Sequence, residues 1–190
     1  MKDNAKKSTQ VKESILPEKV IKQRKQRILE KEDMSFFFKK VFVVILAVGI
    51  LLTTIYGIEF VEGQNMYPSI KDGDVAVYFR LNNEYQIGDV VAIEKNQSNY
   101  LGRIVAREGD LVEITEEGEL IINNNVQQEE VYFLTYPDKN GLIFPWKVTK
   151  GHVFVLGDFR TGSVDSRAFG EVSLDEIQGK VITVLRRRGI

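Results

Sequence analysis

The 190-residue chain contains no cysteine and only one histidine, His152. Without thiols it cannot be a disulfide scaffold, hold a cysteine-ligated zinc or iron–sulfur site, or work as a thiol enzyme. With one histidine a multi-histidine metal site is impossible, and a histidine-based triad survives only if His152 carries it. Any hydrolysis needs a different base, and no metal, cofactor or nucleic-acid partner is expected. The chain also lacks a marked charge bias, with a formal net charge of −1, and its 43% hydrophobic and 28% charged residues are too evenly mixed for global disorder.

That small net charge conceals a division. Residues 1–40 hold 12 Lys+Arg against 6 Asp+Glu, and the remaining 150 residues hold 14 against 21. Between the two lies an uncharged run, residues 41–58 (VFVVILAVGILLTTIYGI). Eighteen helical residues at about 1.5 Å each span roughly 27 Å, close to the hydrocarbon thickness of a bilayer. Forty polar residues precede the run and no small-x-small site follows it directly, so it is expected to be an uncleaved anchor rather than a signal peptide. Lys39 and Lys40 on one flank, against Glu59 and Glu62 on the other, predict a cytoplasmic N-terminus and an extracytoplasmic carboxyl part. The expected organisation is a basic cytoplasmic tail (1–40), a transmembrane helix (41–58) and an exported domain (59–190).

Apolar residues in the tail fall only loosely at helical spacing, and Pro17 interrupts the early part. Both a helix lying on anionic lipid from about residue 17 to 31 and a disordered tail that sets orientation fit the pattern. After the span the pattern changes to short alternating runs at 75–79, 89–93, 101–107, 111–115, 119–122, 152–156 and 179–185. Gly, Asp and Asn clusters separate them, as at Lys71-Asp72-Gly73-Asp74 and Asn123-Asn124-Asn125. A mainly β domain with a bent or barrel-like sheet is predicted behind the single helix.

Three stretches go beyond generic strands. They are Gly63-Gln64-Asn65-Met66-Tyr67-Pro68-Ser69-Ile70, then Arg103-Ile104-Val105-Ala106-Arg107-Glu108-Gly109-Asp110, then the run from Gly157-Asp158-Phe159-Arg160 through Ser163-Val164-Asp165-Ser166-Arg167 to Gly170. In this order behind an anchor they resemble the sequence boxes of type I signal peptidases (S26-like), over roughly residues 61–184. The resemblance implies a Ser nucleophile just before the Met of the first box and a Lys general base just before the Arg of the second. The Lys must be buried, which lowers its pKa enough to take the Ser proton near neutral pH.

Carried onto this chain, the nucleophile position is Asn65 and the base position is Gly102. A carboxamide has no hydroxyl to deprotonate, and glycine has no side chain to accept a proton. Loss of one member of such a pair costs about 10⁴- to 10⁶-fold in turnover, and losing the second adds little. Candidate substitutes are few. Ser69 is expected in a turn after Pro68, Lys71 and Lys95 are expected to be solvated, and His152 stands at the start of a strand.

Met66, Tyr67 and Pro68 match the part of the family that borders the membrane and shapes a pocket for small side chains. Asp158, Arg160, Asp165 and Arg167 are expected to form a buried or semi-buried, fold-stabilising charge network by pairing at a spacing of two. Ser163, Ser166 and Arg103 match supporting positions. Phe159 stands where the family commonly has Asn, and Gly102 is expected to leave space in the cleft floor. Arg186, Arg187 and Arg188 fit either a solvated charge run or a phospholipid or partner contact.

The chain thus resembles the dyad-lacking, signal-peptidase-like proteins encoded with surface pilins in Gram-positive bacteria, which are needed for pilus assembly. The resemblance implies a membrane-anchored factor whose cleft holds an extended segment of a pilin or of a sortase by strand addition. The alternatives are an active signal peptidase using substitute groups and a plain membrane scaffold with a vestigial cleft.

Overall fold

The structure, a computed structural model, describes residues 2–82, 84–127 and 133–187. The chain divides into a unit ending at Leu51 and a unit beginning at Leu52. The first unit is helical: α1 runs over Lys2–Ile55. Pro17, expected to interrupt the tail, lies within this helix. The run of Lys, Glu and Gln around it favours helix, which offsets the one backbone bond a proline removes. The stretch Met34–Ile55 is apolar and none of it is buried within the protein. At 22 residues it extends about 33 Å, enough for a membrane anchor.

The apolar span is displaced from its expected limits, because Tyr56, Gly57 and Ile58 open a strand, β1 (Tyr56–Phe60), rather than closing the helix. Long-range pairing overrides local hydropathy here. β1 runs antiparallel to β2 (Val75–Phe79), with Gly57 opposite Tyr78. A Cβ on Gly57 would overlap the Tyr78 ring, so the close approach requires glycine. The Arg80 N–H donates to the Ile55 carbonyl (2.9 Å), satisfying one of the acceptors left over at the helix end.

The remaining strands are β3 (Val90–Lys95), β4 (Ser98–Arg107), β5 (Leu111–Ile114), β6 (Leu120–Ile122), β7 (Asn125–Val126), β8 (Trp146–Lys147), β9 (His152–Leu156), β10 (Val172–Ser173) and β11 (Ile177–Leu185). They form a seven-stranded sheet ordered β1-β2-β11-β3-β4-β9-β10 and a four-stranded sheet ordered β7-β6-β5-β8. Every pairing is antiparallel. The protein is therefore mainly β behind one apolar helix, as the alternating runs predict.

Alternation explains the core. Val153 and Val155 of β9 face one buried cluster with Val91, Ile93 and Ile104, while Phe154 and Leu156 face another with Val112, Ile114 and Leu120. β9 is buried on both sides, which is why it reads as an unbroken apolar run. A bulge between Ile104 and Ala106 in β4 lets Ile104 join the first cluster and Ala106 the second. A third cluster unites Met66, Ile70, Ala76, Tyr78, Ala92 and Leu101 beneath the connection from β1 to β2.

Candidate functional site

That connection is held by its own backbone and by two aspartates. The Val61 N–H donates to the Asp74 carbonyl and the Gly73 N–H to the Val61 carbonyl, each at 2.9 Å. Asp72 accepts from the Gly63 N–H (2.8 Å), and the buried Asp74 carboxylate accepts from the backbone N–H groups of Lys71 (3.0 Å) and Arg187 (3.2 Å). Arg187 is thus tied to the domain through its backbone, and Arg188 lies outside the described residues. Met66 and Ile70 are sunk in the core, the Tyr67–Pro68 peptide is cis, and Tyr67 is 41% exposed.

Asn65, half-buried, reaches across to the third motif. Its carbonyl accepts from the Phe159 N–H (3.0 Å). Its carboxamide donates to the Val164 carbonyl and accepts from the Val164 N–H, both at 3.4 Å. Phe159 forms an edge-to-face aromatic cluster with Phe133 (5.0 Å between centroids) and Tyr67 (6.3 Å). An apolar ring can occupy the position where the family commonly has Asn because it finds these two partners.

Gly102 lies in β4 opposite Val91 of β3 and is buried. A Cβ at this position would stand 3.3 Å from Val155 Cβ and 3.6 Å from Ile93 Cδ1, against an apolar flank.

The charged residues of the third motif are interior. Asp158, Arg160, Asp165, Ser166 and Arg167 are all at most 6% exposed. Asp165 and Arg167 pair as their spacing predicts, with Arg167 Nη2 at 2.8 Å. Asp165 also accepts from the Gly157 N–H (3.0 Å), the Ser163 hydroxyl (3.0 Å) and the Arg167 N–H (3.1 Å), capping the short helix α2 (Ser166–Phe169). Arg167 further donates to the Tyr136 carbonyl (2.9 Å), and Ser166 Oγ accepts from the Val155 N–H (3.0 Å).

The expected pairing of Asp158 with Arg160 is replaced. Asp158 takes a two-pronged contact from Arg103 (2.8 and 2.6 Å), which β4 places beside it. Arg160 instead donates to the Gly157 carbonyl (3.0 Å) and the Thr135 hydroxyl (2.7 Å). Register between distant strands, which spacing along one loop cannot convey, decides the partner.

A groove of about 560 Å³ adjoins Asn65 and Met66 and is walled by Ile58–Glu62 on one side and Gln97–Leu101 on the other. Both walls offer strand edges. β1 is terminal in its sheet, and β4 pairs with β3 over residues 98–103 but meets β9 only from Arg103 onward. Among the described residues, the second edge of 98–102 has no strand partner.

The family model described as signal peptidase, peptidase S26, matches residues 34–185. The chain belongs to the signal peptidase family. Signal peptidase I of Bacillus caldolyticus is 28% identical over 158 residues, covering 74% of this chain and 85% of that relative. Signal peptidase IB of Staphylococcus aureus is 31% identical over 162 residues, covering 74% of this chain and 81% of the relative. A crystal structure of a signal peptidase I from Enterococcus faecalis V583 aligns with a TM-score of 0.43 and 26% identity, over 53% of this chain and 98% of that one.

None of the substitute groups that a signal peptidase would need is brought to Asn65. Ser69 lines a different depression, with Asp89 and Lys180, and Lys180 is ion-paired to Asp89 (2.7 Å). Lys71 is exposed, as expected. Lys95 is not solvated as expected: it is half-buried, paired with Glu176 (2.8 Å) and bonded to the Glu171 carbonyl (2.9 Å). His152 stands at the opposite end of β9 from Leu156, roughly 13 Å along the strand, where it contacts Thr149 (3.0 Å) and approaches Glu171 (4.0 Å).

Sequence reasoning missed the polar cluster around these last residues. Burial disfavours the charge of Glu171, but the Thr149 hydroxyl and N–H, the Trp146 N–H and His152 outweigh it and hold the carboxyl below its usual range. Glu176 is likewise penalised by burial and still lowered, by Lys95 and the Ser173 N–H. The capping-box pattern Ser173-x-x-Glu176 was the available signal for the second of these.

Proposed function

We propose that this signal peptidase family member is a membrane-anchored binding factor that holds exported chains without cutting them. The observation that carries this reading is the pair of residues at the family's nucleophile and base positions. Asn65 offers a carboxamide already engaged with Val164, and Gly102 offers no side chain. No nucleophile–base pair can be assembled from these two, and Ser69 and His152 stand elsewhere.

The groove supports binding by strand addition. An extended segment laid between 58–62 and 97–101 would satisfy two strand edges with its own backbone. The resemblance to pilus-associated family members makes a pilin segment the favoured occupant, with a sortase as the other candidate. The helix Met34–Ile55 serves as the anchor. Lys39 and Lys40 beside the helix support a cytoplasmic tail with the β unit outside. Lipid is the second partner, met by the apolar helix Met34–Ile55, none of which is buried within the protein.

The test is to reconstitute the full chain in nanodiscs with a photo-crosslinking residue at Tyr100, then add a pilin precursor with its signal peptide intact. The precursor should remain uncut and be captured at Tyr100. Cleavage at the signal-peptide junction by this protein would overturn the reading.

A further inference from the structure

The groove that would hold the segment has a sign. Among the described residues its charged lining is Glu59 and Glu62, with no Lys or Arg. Glu59 already spans the gap, accepting from Asn99 Nδ2 (3.3 Å), so one carboxylate is fixed between the two walls. Glu62 is exposed on the same wall. The rest of the lining is apolar or neutral, and Ile58 and Phe60 are its exposed apolar side chains.

We propose that the groove selects extended segments carrying a lysine or arginine, with Glu59 and Glu62 as the specificity-determining residues. This rests on the strand-addition reading above and adds to it the charge of the occupant. Strand edges bind any backbone, so they give affinity without choice, and selection falls to the side-chain sites between them. A carboxylate pair beside an apolar wall attracts a cationic side chain, whose aliphatic stem can lie on Ile58 and Phe60, and repels an acidic one. Attraction and repulsion at partly exposed sites together amount to about tenfold in affinity between a Lys and a Glu at one peptide position.

Three end-blocked, fluorescent ten-residue peptides of alternating Val and Ser, with Lys, Gln or Glu at the centre, should be titrated against the full chain in nanodiscs. At low salt the Lys peptide should bind about tenfold more tightly than the Glu peptide, with the Gln peptide between them, and the ratio should shrink at high salt. In Glu59→Gln/Glu62→Gln the Lys-to-Glu ratio should fall to within about twofold, whereas Glu113→Gln, in the other sheet, should preserve it. Melting temperatures of both variants would establish that they are folded. Equal binding of all three peptides overturns the charge selection and leaves the groove reading standing. Binding of none overturns the groove reading and the selection with it.

Discussion

The side chain of Asn65 engages Val164 as one strand residue engages another, donating to its carbonyl and accepting from its amide across 99 positions of sequence. The side chain thereby fastens the first motif to the loop that carries Asp158 and Asp165. Both bonds are long, and a neutral hydrogen bond contributes about 1 kcal/mol at best. Asn65→Ala should cost no more than that in urea unfolding, while hydrogen exchange at the Val164 amide should speed up measurably. Unchanged exchange would mean that the clasp is not made in solution.

Restoring both missing groups tests the ancestry of the site. In Asn65→Ser/Gly102→Lys the new amine enters along Val155 and Ile93, whose apolar surfaces disfavour its charged form and lower its pKa. Labelling by a serine-directed covalent probe should appear in the double variant and in neither single variant. Because only the neutral amine can take the proton, labelling should reach its plateau well below the ordinary lysine pKa of about 10.4. A folded double variant that never labels would show that the two positions no longer face each other. Gly102→Trp, by contrast, would press on Val155 rather than plug the groove, and it should destabilise the fold by about 1–3 kcal/mol through overpacking.

The two arginine–aspartate pairs should differ in cost. The Arg167–Asp165 pair is 7% and 3% exposed, whereas Arg103 is 27% exposed beside Asp158. Removing Arg167 takes the charged partner from a carboxylate that then keeps only neutral donors from Gly157, Ser163 and the backbone, at about 3–5 kcal/mol. Asp158 is equally buried, but truncating the partly exposed Arg103 opens a path for water to reach it, so Arg103→Ala should cost less. Urea unfolding of Arg167→Ala and Arg103→Ala would check the order, and equal losses would contradict it.

Acid should loosen the contacts made by Glu171 and Glu176. Glu171 and Glu176 have folded pKa values below the ordinary 4.5, so the folded state favours their ionised forms. Their contribution is fully present above that value and is lost as pH falls through the lowered folded values. Thermal melts between pH 6 and pH 3 should show a drop that is shallower in Glu171→Gln, which cannot titrate. Identical pH slopes in the two proteins would remove Glu171 from the account.

Much of the fold was legible because alternation of apolar residues is a local signal. The strands at 75–79 and 152–156 match the expected limits, while β1 was absorbed into the apolar span because Tyr56, Gly57 and Ile58 are as hydrophobic as the helix they follow. The motif residues Asp165, Ser166 and Arg167 were legible as an interior network, since a buried charge demands a partner nearby. Partners set by strand register were not: nothing local joins Arg103 to Asp158, Phe133 to Phe159 or Glu59 to Asn99. The flank beside Gly102 was equally hidden, since a glycine in sequence says only that a side chain is missing, not what stands next to it.

Strand β9 places alternate residues in two different cores, Val153 and Val155 in one, Phe154 and Leu156 in the other. Neither sheet can peel away without exposing surface that the other depends on, so the β unit should come apart in one cooperative step rather than sheet by sheet. The loop that carries Asp158 through Val164 leaves directly from this doubly gripped strand. A pull on that loop would load both cores at once, so the rim beside Asn65 rests on the most firmly held strand of the β unit.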